Sequence, residues 1–179
     1  MTAVRILRVV AVAGVLAMAS VLVWRLAHQH NGTAKAIASG KAVRAPAFTL
    51  KRLSGGGTVS LAALRGKAVV LNFWASSCIP CKQEMPRLEQ AATRWAGKHV
   101  AVVGIDVLDS RGAARDFARK HGVTYELGYD PLGDTIGPYG VAYTPTTFFV
   151  DRRGRIVKRI LGPVSSADLD AQIGHALSS

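Results

Sequence analysis

The stretch that decides the fold is "VVLNFWASSCIPCKQEMP", Val69 to Pro86. Its first half is a continuous apolar run, as a strand buried on both faces requires. Its second half holds the only two cysteines of the chain, Cys78 and Cys81, separated by Ile79 and Pro80. From Lys82 to Trp95 the pattern turns helical, with Met85, Leu88, Ala92 and Trp95 recurring at spacings of three and four. A C-x-x-C at a strand-to-helix junction places Cys78 at a helix N-terminus. The unpaired N–H groups and partial positive charge there favour a thiolate. Cys81, one turn later on the same side, can attack a mixed disulfide formed on Cys78. The spacing therefore assigns Cys78 as the exposed nucleophile and Cys81 as the resolving thiol.

Other uses of two cysteines fit less well. A disulfide between residues three apart closes too small a loop to stabilise a domain much. A zinc site needs about four ligands, and one C-x-x-C supplies two. His99, His121 and His175 stand singly, and His28 and His30 sit in a polar segment without further ligands.

Outward from this centre, strands and helices alternate. "PAFTL" (Pro46 to Leu50) reads as an edge strand and "SGGGT" (Ser54 to Thr58) as a hairpin turn. Val100 to Val107 reads as a second buried strand. Ser110 to Gly122 reads as an amphipathic helix with a serine cap. A short strand and helix follow. "PTTFFVD" and "RIVKRILG" then form two strands joined at Arg152-Arg153-Gly154, and "SSADLDAQIGHAL" closes the chain as a helix. Early alternation implies a parallel core, and the late hairpin adds antiparallel strands. The expected class is α/β: a three-layer arrangement with a mixed central sheet flanked by helices.

The chain has 179 residues and a formal charge of +12. Residues 1–44 carry Arg5, Arg8, Arg25, Lys35, Lys41 and Arg44 and no acid, so the remainder holds 17 basic and 11 acidic residues, scattered along it. That distribution describes a solvated surface, with some attraction to anionic lipid or acidic partners, rather than a nucleic-acid groove. Arg5 and Arg8 precede an uncharged run from Val9 to Trp24, closed by Arg25. Two readings stand. The run is an uncleaved membrane anchor, extended by neighbouring apolar residues, or a signal peptide with an A-x-A site at Ala17-Met18-Ala19. Either sends the rest of the chain across a membrane. Domain limits follow: 1–26 anchor or signal segment, 27–45 flexible linker, 46–179 globular domain.

With these motifs in place, the sequence resembles the thioredoxin-fold family, and within it the TlpA/ResA-like membrane-anchored thiol–disulfide oxidoreductases. The resemblance rests on Val69 to Pro86, on "APAFTL", on "GVAYTPTTFFVDRRGRIV" and on the N-terminal run, and covers about residues 45–177. It implies an extracytoplasmic disulfide reductase, periplasmic in a bacterium. Such an enzyme works through a Cys78–Cys81 dithiol without another cofactor or metal. Its implied partners are protein substrates with disulfides or thiols and a membrane electron donor that re-reduces the pair. Pathways such as cytochrome c or copper-site maturation follow from the same likeness. Pro80 matches a proline of the reducing members, and with Ile79 it is expected at the substrate surface. Thr144-Pro145 matches a cis-proline segment whose first residue pairs with substrate backbone. Trp74 matches a tryptophan that packs beside the site, and the resemblance places it among the substrate-binding residues. Glu84 matches an acid of this branch, either accepting a proton from Cys81 or standing exposed in the first helical turn. Ser77 stands where many members have a second tryptophan, and Asn72 where thioredoxin has a buried aspartate.

Two alternative functions are weighed. A thiol peroxidase would need P-x-x-x-[ST]-x-x-C, and Leu71 and Ala75 occupy the Pro and Ser/Thr positions. A copper metallochaperone would be expected to use C-x-x-x-C with a distant histidine.

Overall fold

The computed structural model describes residues 12–24, 34–37, 39–40 and 42–179. Helix α1 covers residues 12–24, with Val15, Leu16, Met18 and Leu22 all exposed. Among the described residues, no helix is long and apolar enough to cross a membrane. The expected anchor or signal segment lies partly outside the described residues, as do His28 and His30.

One eight-stranded sheet organises the rest, in the order β1-β8-β7-β4-β5-β6-β2-β3. Its centre is β4 (Ala68–Trp74), every residue of which is buried, paired parallel to β5 (Val100–Val107). Strand β6 (Glu126–Asp130) continues the parallel set beyond β5. On the other side β7 (Thr146–Val150) runs antiparallel to β4 and to β8 (Arg155–Leu161). The hairpin β2 (Thr49–Arg52) and β3 (Thr58–Ser60) adds to β6, and its turn places Gly55 and Gly57 at positive φ. The helices are α2 (Ile79–Arg94), α3 (Arg111–Lys120), the short α4 (Ile136–Tyr139) and α5 (Ser166–Ser178). This is the thioredoxin-like α/β architecture expected from the alternation of elements. Ser110 and Ser165 cap α3 and α5, accepting hydrogen bonds from the Ala113 and Asp168 amides.

Two expectations are corrected. Pro46 to Leu50 was expected to supply an edge strand, but β2 lies between β6 and β3, and the sheet ends at β1 (Val43–Arg44) and β3. The segment expected as a flexible linker over 27–45 is folded in its second half. Residues 34–37 form one helical turn, Ile37 is buried against the core that contains Tyr139 and Val141, and β1 pairs with β8. Scattered apolar residues carried these contacts, and without a period they gave no local signal.

Alternation divides each strand between two cores. On one face Phe73, Ile105, Tyr139 and Phe148 pack together, with Phe73 and Phe148 edge-on at 5.6 Å. On the other, Trp74 stacks on Phe117 of α3 at 5.2 Å and joins Cys78, Cys81 and Met85. Gly104 of β5 makes room for that indole. A Cβ there would lie 2.9 Å from Trp74 Nε1 and 2.6 Å from Leu127 Cδ2. Gly104→Ala is therefore predicted to cost about 1–3 kcal/mol through overpacking. A denaturant melt followed by tryptophan fluorescence reads this, and an unchanged midpoint would contradict the packing account.

Candidate active site

The C-terminal end of β4 delivers the redox pair. Cys78 is the N-cap residue of α2, with extended backbone, and its sulfur accepts the Cys81 amide N–H at 3.2 Å. Pro80 sits in the first turn, where a missing N–H costs nothing. Cys78 and Cys81 are joined as a disulfide, S–S 2.07 Å. Cys81 is fully buried and Cys78 is 9 % exposed. Cys78 is the more accessible of the two, but it is mostly covered and not the exposed thiol that the spacing led one to expect.

Several apolar side chains are exposed at this end of the sheet. Ile79 is 69 % exposed, Pro80 is exposed beside the polar Ser77, and Tyr143 and Leu108 each present most of a large side chain. Thr144–Pro145 is cis and directly precedes β7. Because Phe73 pairs with Thr146 across β4 and β7, this segment lies at the same end of the sheet as the cysteines. Tyr143 and Leu108 were missed from sequence, since single apolar residues in loops carry no pattern. Trp74, expected at the substrate surface, is corrected. It is completely buried and supports the cysteines from the core side.

Glu84 lies one helical turn beyond Cys81 on α2. It is completely buried, not the exposed first-turn acid that was one of its two readings. Its Oε1 accepts from Asn72 Nδ2 at 2.7 Å and its Oε2 from the Val164 amide at 3.0 Å. Asn72 also donates to Thr147 Oγ1 at 3.0 Å. Burial pushes the Glu84 carboxyl up to about 7; the Val164 and Asn72 hydrogen bonds and the Arg87 charge only partly offset it. Asn72, read from sequence only as a replaced aspartate, is thus the partner of this acid. Its Oδ1 is buried without a hydrogen-bond partner among the described residues. Turning the amide over would offer that oxygen to a protonated Glu84, so the site can accommodate either charge state. Glu84 follows Cys81 by three residues on the buried face of α2, within one helical turn.

A C-x-x-C pair at a strand–helix junction, a cis-proline segment at the same sheet end and a buried acid behind the second cysteine define a thiol–disulfide oxidoreductase of thioredoxin-like fold. The chain belongs to the AhpC/TSA family, whose model matches residues 42–159. It is 32% identical over 129 residues to the thiol–disulfide oxidoreductase ResA of Bacillus thuringiensis, covering 72% of this chain and 74% of that protein. It is also 32% identical to ResA of Bacillus subtilis, covering 69% and 68%. Among solved structures it resembles a putative thiol:disulfide interchange protein DsbE from Chlorobium tepidum. That match has a TM-score of 0.70 and 32% identity, over 75% of this chain and 96% of the other. A DsbF homologue from Corynebacterium diphtheriae matches with a TM-score of 0.70 and 33% identity, covering 76% and 88%. Fold and site are those of a ResA/DsbE-like thiol–disulfide oxidoreductase.

Glu84 also predicts a pH dependence of stability. Its folded-state value lies above the unfolded one, so its contribution is fully present below about 4.5 and is lost as pH rises through about 7. At about 1.4 kcal/mol per pH unit, the difference in stability between wild type and Glu84→Gln should change by about 3 kcal/mol across that window. Urea melts from pH 4 to 8 measure it. Profiles that run parallel would remove the buried acid from the account.

Proposed function

We propose that the protein is an extracytoplasmic, membrane-tethered reductase of protein disulfides. The observation that carries this reading is the coupling of a barely accessible Cys78 to a buried Cys81 with Glu84 one turn behind it. In the proposed cycle the Cys78 thiolate attacks a substrate disulfide. One substrate sulfur leaves as a thiolate, and a mixed disulfide forms. Cys81 then loses its proton, for which Glu84 is the acceptor, and its thiolate attacks the Cys78 sulfur. The second substrate thiolate is released and the Cys78–Cys81 disulfide closes. Until that step, a negative Glu84 raises the pKa of the nearby Cys81 thiol and keeps it from ionising early. Ile79, Pro80, Thr144 and Pro145 form the docking surface, joined by Tyr143 and Leu108.

The reducing direction is supported by Pro80 beside Cys81 and by the absence of a histidine between the cysteines. A membrane electron donor would return the disulfide to the dithiol. Tethering is supported by the uncharged run from Val9 to Trp24, flanked by arginines. Leu71, buried within β4, and Ala75 leave no proline–hydroxyl pair beside Cys78 to orient a peroxide. The likeness of Val69 to Pro86 to the TlpA/ResA-like branch extends the proposal to maturation of a thiol-bearing site, such as a cytochrome c haem site or a copper site, as the pathway.

Two outcomes are expected. Equilibration against glutathione should place the potential nearer thioredoxin's value of about −270 mV than the strongly oxidising value of about −120 mV. A potential above about −180 mV would overturn the reducing assignment. Cys81→Ser should trap a protein substrate as a mixed disulfide through Cys78, released by dithiothreitol. If the adduct forms only through Cys81 in the converse variant, the roles are reversed.

A further inference from the structure

A second buried acid adjoins the site and has no part in the cycle above. Asp106, near the end of β5, is completely buried, and among the described residues neither of its carboxyl oxygens accepts a hydrogen bond; its one hydrogen-bonding neighbour is another acid, Asp109, to which only the neutral form can donate. In register it stands between Trp74 of β4 and Tyr129 of β6, so all three side chains share the sheet face that carries the cysteine cluster. The Trp74 indole lies over Gly104, two residues earlier on that face, and its Nε1 is likewise buried without a partner.

The next acid along the chain makes the connection to the redox pair. Asp109, in the β5–α3 loop, accepts the Ser76 amide on Oδ2 at 2.6 Å and the Ser110 amide on Oδ1 at 2.7 Å. The Tyr129 hydroxyl donates to the Asp109 carbonyl at 3.1 Å. Ser76 belongs to the Ala75–Ser77 link between β4 and Cys78. One carboxylate therefore ties the segment that delivers the nucleophile to the neighbouring loop, 33 residues away in sequence.

We propose that Asp106, held as the neutral acid, and Asp109, which accepts the Ser76 and Ser110 amides, are a positioning pair that fixes residues 75–77 and thereby the placement of Cys78. Two charges here would be self-defeating. Asp109 needs its negative charge to accept two backbone amides, and a second charge on Asp106 would be buried, unpaired and adjacent to it. The surroundings agree. Burial raises the Asp106 carboxyl to about 8; the Asp109 charge, a hydrogen bond from the neutral Asp106 acid to the Asp109 carboxyl and the Asp130 charge raise it further, against the opposing charge of Arg111. Asp130, at the end of β6, is occupied by the Thr135 hydroxyl and by the Asp134 and Thr135 amides. Arg111, in the first turn of α3, is occupied by the Arg52 and Leu53 carbonyls and lies 4.1 Å over the Tyr129 ring. Neither group is placed to neutralise an ionised Asp106 by a hydrogen bond. Above about pH 8, ionisation of Asp106 sets it against Asp109 and slackens the hold on Ser76.

The test uses reduced full-length protein in detergent. Iodoacetamide alkylation of Cys78 is followed by peptide mass mapping from pH 6 to 9.5 for wild type, Asp106→Asn and Asp109→Asn. The wild-type rate should depart from a single thiolate titration as pH passes about 8. Asp106→Asn, which mimics the neutral acid, should match wild type below pH 7 and lose the departure. Asp109→Asn should alter the Cys78 rate by about tenfold at every pH, the size of a lost charge-assisted hydrogen bond. Infrared spectroscopy at pH 7 supplies a readout that a purely structural role would not move. The carbonyl band of a protonated carboxylic acid should weaken in Asp106→Asn and persist in Asp109→Asn. Wild-type and Asp106→Asn profiles that superimpose to pH 9.5, or an unchanged acid band, would overturn the proposal.

Discussion

A carboxyl group sealed inside the protein behind a redox pair is the constraint on which the rest of the site depends. Glu84 loses its water on folding, and only two N–H groups replace it. Those donors come from β4, through Asn72, and from the segment leading into α5, through the Val164 amide. Asn72 is in turn braced by Thr147 of β7. One side chain on α2 thus fixes four elements in mutual position. An unpaired buried carboxylate would cost several kcal/mol, so a displacement of any one of these elements is opposed by the desolvation of this acid. The same desolvation brings the group near neutrality, where a proton can be taken up or given back.

The disposition of the sheet explains why the functional groups meet. Strands β4 and β5 run parallel, so the chain emerges from both at the same end. There β4 opens into Cys78 and the α2 N-terminus, and β5 opens into the Asp109 loop that holds Ser76. Strand β7, antiparallel to β4, begins at that end, which brings Thr144–Pro145 there as well. Three loops converge because of strand direction, and the buried acids Glu84 and Asp106 belong to the face beneath them. Ile79, Tyr143 and Leu108 leave exposed apolar side chains at this end of the sheet.

Much of this was legible in the sequence, and the remainder was not for definite physical reasons. Continuous apolar runs marked β4 and β5, and a serine cap marked α3, because those signals lie within a few residues of one another. The spacing of the cysteines implied their chemistry. The burial of Glu84 was not legible, since helical periodicity is read from apolar residues and an acid on the buried face breaks the pattern. Asn72 gave no sign of its partner, because the Asn72–Glu84 contact joins a strand to a helix and depends on how they dock. Residues 34–37 and β1 were read as linker because Ile37 and Val43 gain their burial only from distant parts of the chain. Asp106 and Asp109 passed as ordinary acids for the same reason.

The whole site turns on a buried carboxyl group near the cysteines that titrates near neutrality. Carbon-13 NMR of protein labelled at the glutamate side-chain carboxyl, with the resonance assigned by its loss in Glu84→Gln, observes that group directly. The account predicts that the Glu84 carboxyl in the disulfide form titrates with a midpoint near pH 7. A midpoint near the ordinary glutamate value of about 4.3 would contradict it.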